Sequence, residues 1–395
     1  MTPGRDRAYA RRMSQSLDIL RHLVAFDTTS RNSNLGLIGW VRDFLAGHGV
    51  ASALVHDTTG TKANLLATIG PAAAPGIVLS GHTDVVPVDG QDWTVEPFRP
   101  TVRDGRLYGR GTTDMKGFLA CALAAVPAMK AAALRRPFHL AFSFDEEIGC
   151  KGVPALLARL GDLLPVQPMG CIVGEPTGMR LVDGHKGKAA CRCTVRGRAG
   201  HSALTQEAVN AVTFAGRLIA WIDGLARDLA ERGPFADGFV PPHSTASLGR
   251  IEGGGQINIV PDLCRFELEF RTIPGEDPRA LVERVRRHAL DVLLPEMRRT
   301  APEAAIELEE FMAYPGLAPA GGALASLLRD LTGDHTPGKV SYGTEAGLFA
   351  ASGIPAIICG PGHMSVAHKP DEHIELSQLA ACDRLLERLV ARAAA

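Results

Sequence analysis

The chain has no long run of like charge. Its 42 lysines and arginines are matched by 43 aspartates and glutamates, for a net charge of -1. A nucleic-acid partner leaves a cationic footprint, and electrostatic attachment to a membrane needs one too, so neither partner is expected. There is no apolar stretch of bilayer length. The longest run, Phe118 to Met129, falls short of the about 20 residues a spanning helix needs and reads as a buried helix. The first residues, MTPGRDRAYARRMSQ, are charged and lack the apolar core of a signal peptide, so a cytoplasmic protein is expected, with Met13 as an alternative start. The eight cysteines form no C-x-x-C pair. They are expected to be reduced and buried, and Cys191 and Cys193, on one face of a strand, are given no metal role. No G-x-S-x-G elbow is present and no cysteine has a histidine in an obvious motif, which disfavours a nucleophilic serine or cysteine hydrolase.

What is present is an ordinary globular composition, 46% apolar and 22% charged, on 395 residues, enough for two or three domains. Strands are expected at Gly76–Ser80, His139–Phe144, Gly170–Val173 and Ile354–Cys359. Helical spacing marks Leu17–Phe26, Ile38–Ala46 and Met115–Ala132, the last with Thr112 or Thr113 as its cap. Strands alternating with helices imply an α/β domain with a mostly parallel sheet. Between about 187 and 312 the order becomes strand, helix, two strands, helix, strand, which is the ferredoxin-like order. An α+β domain, 187–312, inserted into an α/β domain formed by 1–186 and 313–395, is the simplest organisation.

Four clusters of histidines and carboxylates follow the four strands: His82 and Asp84, Glu146 and Glu147, Glu175, and His368 after Gly360-Pro361-Gly362. Ligands of open α/β sheets bind outside the carboxyl ends of the strands, and that shared placement carries more than any one motif. Taken singly, each has an ordinary alternative. His82 and Asp84 can be a hydrogen-bonded loop pair, or a metal-bound imidazole with a carboxylate partner. Asp114 can complement a helix dipole, or bridge two cations. Glu146 and Glu147 can be a solvated charged face, or divide the roles of proton carrier and ligand. Glu175 can be a turn residue, and His363 and His373 compete with His368.

In order along the chain, SGHTDVVP, GRGTTDMKG, FDEEIG, GEPT, AGHS, FRTIPG and AHKPDE resemble the motifs of the acetylornithine deacetylase/succinyl-diaminopimelate desuccinylase/aminoacylase/carboxypeptidase family, from about Leu17 to the end. The resemblance implies a di-zinc aminopeptidase-like catalytic domain with an inserted dimerisation or lid domain, and a homodimer. It implies two zinc ions per subunit, for which cobalt or manganese can substitute. His82 and Glu175 would hold one, Glu147 and His368 the other, and Asp114 would bridge them. Asp84 would orient His82, Glu146 would be the general base, and His201 would reach the partner subunit's site. Arg271 and Asn258 would hold the substrate carboxylate.

Ser341-Tyr342-Gly343-Thr344-Glu345-Ala346-Gly347 and His185-Lys186-Gly187 resemble the deacetylase branch. Removal of the acetyl group from N2-acetyl-L-ornithine, a step of arginine biosynthesis, is therefore the expected reaction. Glu345 is expected to select a cationic side chain, with a helix-start glutamate that meets no substrate as its alternative. Desuccinylation, hydrolysis of other N-acyl amino acids or dipeptides, and a non-catalytic binding protein remain as rivals.

Overall fold

The computed structural model describes residues 15–319 and 321–395, so the charged leader and Met13 lie outside the described residues. It divides into two compact units. The first comprises residues up to Asp183, Pro319–Gly338 and Thr344–Ala395; the second comprises Gly184–Ala318 and Lys339–Gly343.

In the first unit, apolar runs too short for helices form the strands. Side by side lie Ser52–His56, Ala63–Ile69, Phe138–Ser143, Ile77–His82, Gly170–Pro176 and Ala356–Gly360; Val182–His185 and Gly338–Val340 complete an eight-stranded sheet. Phe138–Ser143, Ile77–His82, Gly170–Pro176 and Ala356–Gly360 pair in parallel. Ser52–His56, Ala63–Ile69 and Val182–His185 join antiparallel, so the sheet is mixed around a parallel centre. The parallel strands are buried along their whole length, as expected where both faces are covered. Because they are parallel and adjacent, their carboxyl ends share one edge.

Helices Leu35–Gly47, Gly117–Ala124 and Leu376–Ala394 contribute to the core on this sheet. Gly117–Ala124 is apolar all round and wholly buried. Its Phe118 sits so close to the Gly170–Pro176 strand that a Cβ at Gly174 would lie 1.9 Å from the ring. The glycine thus lets helix and strand meet just before Glu175. The helix begins at Gly117, later than expected, and neither threonine caps it. The Thr112 hydroxyl donates to the Gly109 carbonyl and that of Thr113 to the His373 carbonyl, which leaves Asp114 in extended backbone ahead of the helix.

The second unit has a four-stranded antiparallel sheet in the order Thr245–Gly253, Leu263–Thr272, Gly187–Arg196, Ala305–Tyr314. With helices Ala211–Arg232 and Pro278–Arg287 between the strands in sequence, this is the ferredoxin-like arrangement. Both helices are strongly amphipathic, and their apolar stripes, including Leu218, Ile222, Leu281 and Val285, pack on the alternate residues Cys191, Cys193, Phe266 and Leu268 of the sheet. Asn210 caps the first helix by accepting the Thr213 N–H, and Asp277 caps the second by accepting that of Arg279. All eight cysteines are free thiols and buried. Among the described residues, no helix is long and apolar enough to cross a membrane.

Candidate metal centre

The edge made by the four parallel strands gathers the predicted ligands. His82 ends its strand, Glu175 lies near the end of the next, and Glu146 and Glu147 follow Ser143 after a tight turn in which Asp145 has φ 56°. Asp114 enters from the loop before the buried helix. His368 enters from the loop after Gly360, itself at φ 62°. Among the described residues, two groups present ligand atoms within 4.8 Å of one another: His82, Asp114 and Glu175; and Asp114, Glu147 and His368. Neither His363 nor His373 joins a group; the His373 ring packs 5.0 Å from that of Tyr108.

Asp114 belongs to both groups and divides its oxygens between them. Oδ1 lies 3.1 Å from His82 Nε2, and Oδ2 lies 3.0 Å from His368 Nε2. Glu175 Oε1 is 3.7 Å from His82 Nε2, and Glu147 Oε2 is 3.1 Å from His368 Nε2. His82, Asp114 and Glu175 are buried, whereas the His368 side chain is 49% exposed, so one end of the cluster opens outward.

Asp84 does more than the sequence suggests. Its carbonyl, not its carboxylate, accepts from His82 Nδ1, at 2.9 Å; carboxylate Oδ1 stands 3.6 Å away. The carboxylate instead takes the Glu146 and Glu147 N–H groups at 3.0 and 3.3 Å and the Ser30 hydroxyl at 2.6 Å. One aspartate therefore fixes the imidazole orientation and the backbone of the glutamate doublet together. The Cys150 thiol, to which the sequence assigned no role, donates to Glu146 Oε1 at 3.3 Å, while its N–H returns to the Glu146 carbonyl. Only the turn following the doublet could have hinted at this.

The electrostatics favour added positive charge. Burial, with Asp114 next, raises the pKa of Glu147 to about 7 and also raises that of Glu175. Glu146 is raised by burial, against His82, and by the carboxylates around it. For His82, burial opposes the charged form, but Asp114, Glu175 and Asp84 outweigh it and lift the pKa well above its usual value. Hydrogen bonds to Asp114 and Glu147 carry His368 up to about 11. Against burial, His368 and His82 hold Asp114 below the usual carboxylate range. Glutamates that hold on to protons around an ionised aspartate make a place where a divalent cation is stabilised, and imidazole with carboxylate suits first-row metals.

The remaining predicted residues join neither ligand group. His201, in the second unit, is exposed on a two-residue strand paired with Ile259–Val260, and the Asn258 carbonyl accepts the N–H of neighbouring Ser202. Arg271, in the same unit, pairs with Glu269 at 3.0 Å and reaches the Tyr314 hydroxyl at 3.4 Å. Glu345 is buried, 1% exposed, and its two carboxylate oxygens accept from the Ser80 and Ser143 hydroxyls. It stands at the start of the helix Ala346–Ala351, and burial raises its pKa to about 7.

Comparison with known proteins agrees with this geometry. Residues 78–392 match peptidase family M20/M25/M40. An acetylornithine deacetylase of Myxococcus xanthus is 36% identical over 390 residues, covering 96% of this chain and 98% of that protein. Among solved structures, an M20 family metallo-carboxypeptidase from Sulfolobus solfataricus superposes with a TM-score of 0.77 at 19% identity, covering 96% of this chain and 99% of that one. A dinuclear metal-binding M20 peptidase from Bacillus subtilis gives 0.68 at 15%, covering 97% and 98%. At these identities the structures speak for the fold alone. The matched segment runs from the strand that ends at His82 to beyond His368, so it spans every member of the two ligand groups. The chain is a metal-dependent hydrolase and belongs to peptidase family M20/M25/M40.

Proposed function

We propose that this hydrolase removes the acetyl group of N2-acetyl-L-ornithine, giving L-ornithine and acetate, and so serves arginine biosynthesis. The reading rests on a two-cation site, and one observation carries that site: Asp114 turns one oxygen to the His82 group and the other to the His368 group. A short two-oxygen side chain between two sets of neutral-capable donors is what a shared ligand requires. His82 and Glu175 would hold one cation, Glu147 and His368 the other, and zinc fits this mixture of imidazole and carboxylate. When bound, such cations polarise a carbonyl oxygen and acidify water to a pKa of about 7.

The chain's own residues account for the rest. Glu146 lies beside the ligands with its backbone held by Asp84 and one carboxylate oxygen by Cys150. It accepts the proton of the attacking water and returns it to the departing amine. Asp84 keeps His82 Nε2 turned toward Asp114 and Glu175 through the Nδ1 hydrogen bond. His201, Asn258 and Arg271 supply oxyanion and carboxylate contacts in this reading, His201 across a homodimer.

The substrate choice is supported by the relative from Myxococcus xanthus, whose name is acetylornithine deacetylase, and by the deacetylase-like segments around Lys186 and Thr344. Glu345, held by the Ser80 and Ser143 hydroxyls, is the acidic group proposed to select the ornithine ammonium. Zinc-loaded protein given N-acetylornithine, N-succinyl-diaminopimelate, other N-acyl amino acids and dipeptides tests the choice. N-acetylornithine should give the highest kcat/KM; a higher value for a succinylated substrate or a dipeptide overturns it.

A further inference from the structure

Asp114 and His368 come from loops far apart in sequence, and neither lies on a strand of the sheet. Something other than the sheet must set their spacing. On the Asp114 side, Glu372 Oε1 accepts the backbone N–H groups of Thr113 and Asp114 at 3.0 and 3.1 Å. Its Oε2 takes Arg110 Nη1 at 2.7 Å. On the His368 side, Arg110 Nη2 donates to Gln91 Oε1 at 2.5 Å, and Gln91 Nε2 donates to the His368 carbonyl at 3.1 Å. Arg110 Nη1 also stands 3.4 Å from the Lys369 carbonyl. The guanidinium lies 4.9 Å over the Trp93 ring, whose Nε1 donates to the same Gln91 oxygen.

Arg110 and Glu372 are each 1% exposed. A buried ion pair is weak evidence for stability, since well-packed apolar residues often do as well. What an arginine supplies that they cannot is a planar fork with fixed angles between its donors. One prong meets the residue that holds Asp114, and the other meets the residue that holds His368, a residue kept in left-handed backbone that surrounding contacts must enforce.

We infer that Arg110 is a positioning residue for the cation pair: acting through Glu372 and Gln91, its guanidinium fixes the main chains of Asp114 and His368 at one spacing. The inference rests on the two-cation reading above. Gln91 is the place to test it, because it is partly exposed and touches no proposed ligand side chain. Full-length protein loaded with cobalt(II) is equilibrated against graded chelator, and bound cobalt is counted.

Wild type should hold two ions. Gln91→Met loses both the acceptor for Arg110 and the donor to His368. It should weaken one ion by about 10- to 100-fold, the usual cost of removing a ligand's supporting hydrogen bond, with the other ion and the Tm unchanged. Gln91→Glu keeps the acceptor but lacks the N–H donor, and should weaken the same ion. Arg110→Lys, with a point charge in place of the fork, should weaken both ions, because Asp114 is shared. Unchanged cobalt affinity in Gln91→Met and Gln91→Glu overturns the inference whether or not Arg110→Lys folds. A wild type that holds no pair of ions overturns the two-cation reading and this inference with it.

Discussion

The two units differ in where they keep carboxylates. The first buries several: Asp84, Asp114, Glu175, Glu345 and Glu372, the last paired with Arg110, all have little or no exposure. Among the described residues the second buries none, and its carboxylates pair nearer the surface, Glu303 with Arg198, Glu296 with Arg217 and Glu310 with Arg279. Its interior is an apolar layer between sheet and helices. Buried charge is costly unless each group is matched, whereas an exposed pair contributes little. A unit that carries so many buried carboxylates is organised around something that compensates them, and that contrast separates the catalytic unit from the inserted one.

Substitutions at the cluster should break the contrast most. Asp114→Ala removes the ligand common to both groups, and should lower bound metal and leave activity at background, measured by metal analysis and turnover of N-acetylornithine. Glu146→Gln is the counterpart that spares the ligands. It should keep both metals and lose kcat by about 100- to 10,000-fold, the range for a positioned general acid or base. Wild-type turnover in that variant removes Glu146 from its role.

Acid should narrow the contrast in stability, because each unit hides a neutral histidine. His139 in the first and His185 in the second are held by burial at a pKa of about 4. An unfolded histidine takes up its proton near pH 6.5, so between pH 6.5 and 4 the unfolded chain binds more protons than the folded one. The contribution of each histidine is therefore full above pH 6.5 and falls as the pH drops toward 4, by about 3 kcal/mol at most, while Glu147 and Glu345, raised to about 7, act in the opposite sense over part of that window. Urea unfolding of wild type against His139→Leu across that window isolates the His139 part, which should be absent from the variant.

The smallest effects separate a buried acid from a surface one. Glu345→Gln disturbs hydrogen bonds to Ser80 and Ser143 inside the sheet, and should cost about 1–3 kcal/mol of stability. Its loss of turnover should be larger on acetylornithine than on acetylmethionine; an equal loss on both would defeat the selectivity. Arg217→Ala, which breaks an exposed pair in the second unit, should leave Tm almost unmoved. A large drop there would erase the contrast.

Much of the fold was legible because period and punctuation are local. The strands that end near His82, Glu146 and Glu175 stood out as short apolar runs, and the inserted unit as a change in element order, so the clustering of motifs at strand ends followed from topology. The helix expected from Met115 starts two residues later, at Gly117, for an equally physical reason: the threonine hydroxyls that looked like caps are spent on carbonyls of Gly109 and His373, the second of which comes from the other end of the chain.

By itself the sequence determined which side chains could do metal chemistry, since their type and their place after buried strands are one-dimensional facts. Only the tertiary structure decided how each is used. Which oxygen of Asp114 faces which histidine, that Asp84 works through its carbonyl as well as its carboxylate, that Glu345 is buried, and that Arg110 stands between Glu372 and Gln91 all depend on distances between segments remote along the chain. No spacing along one strand or helix encodes such distances, because they are set when the core closes and brings those loops to one edge of the sheet.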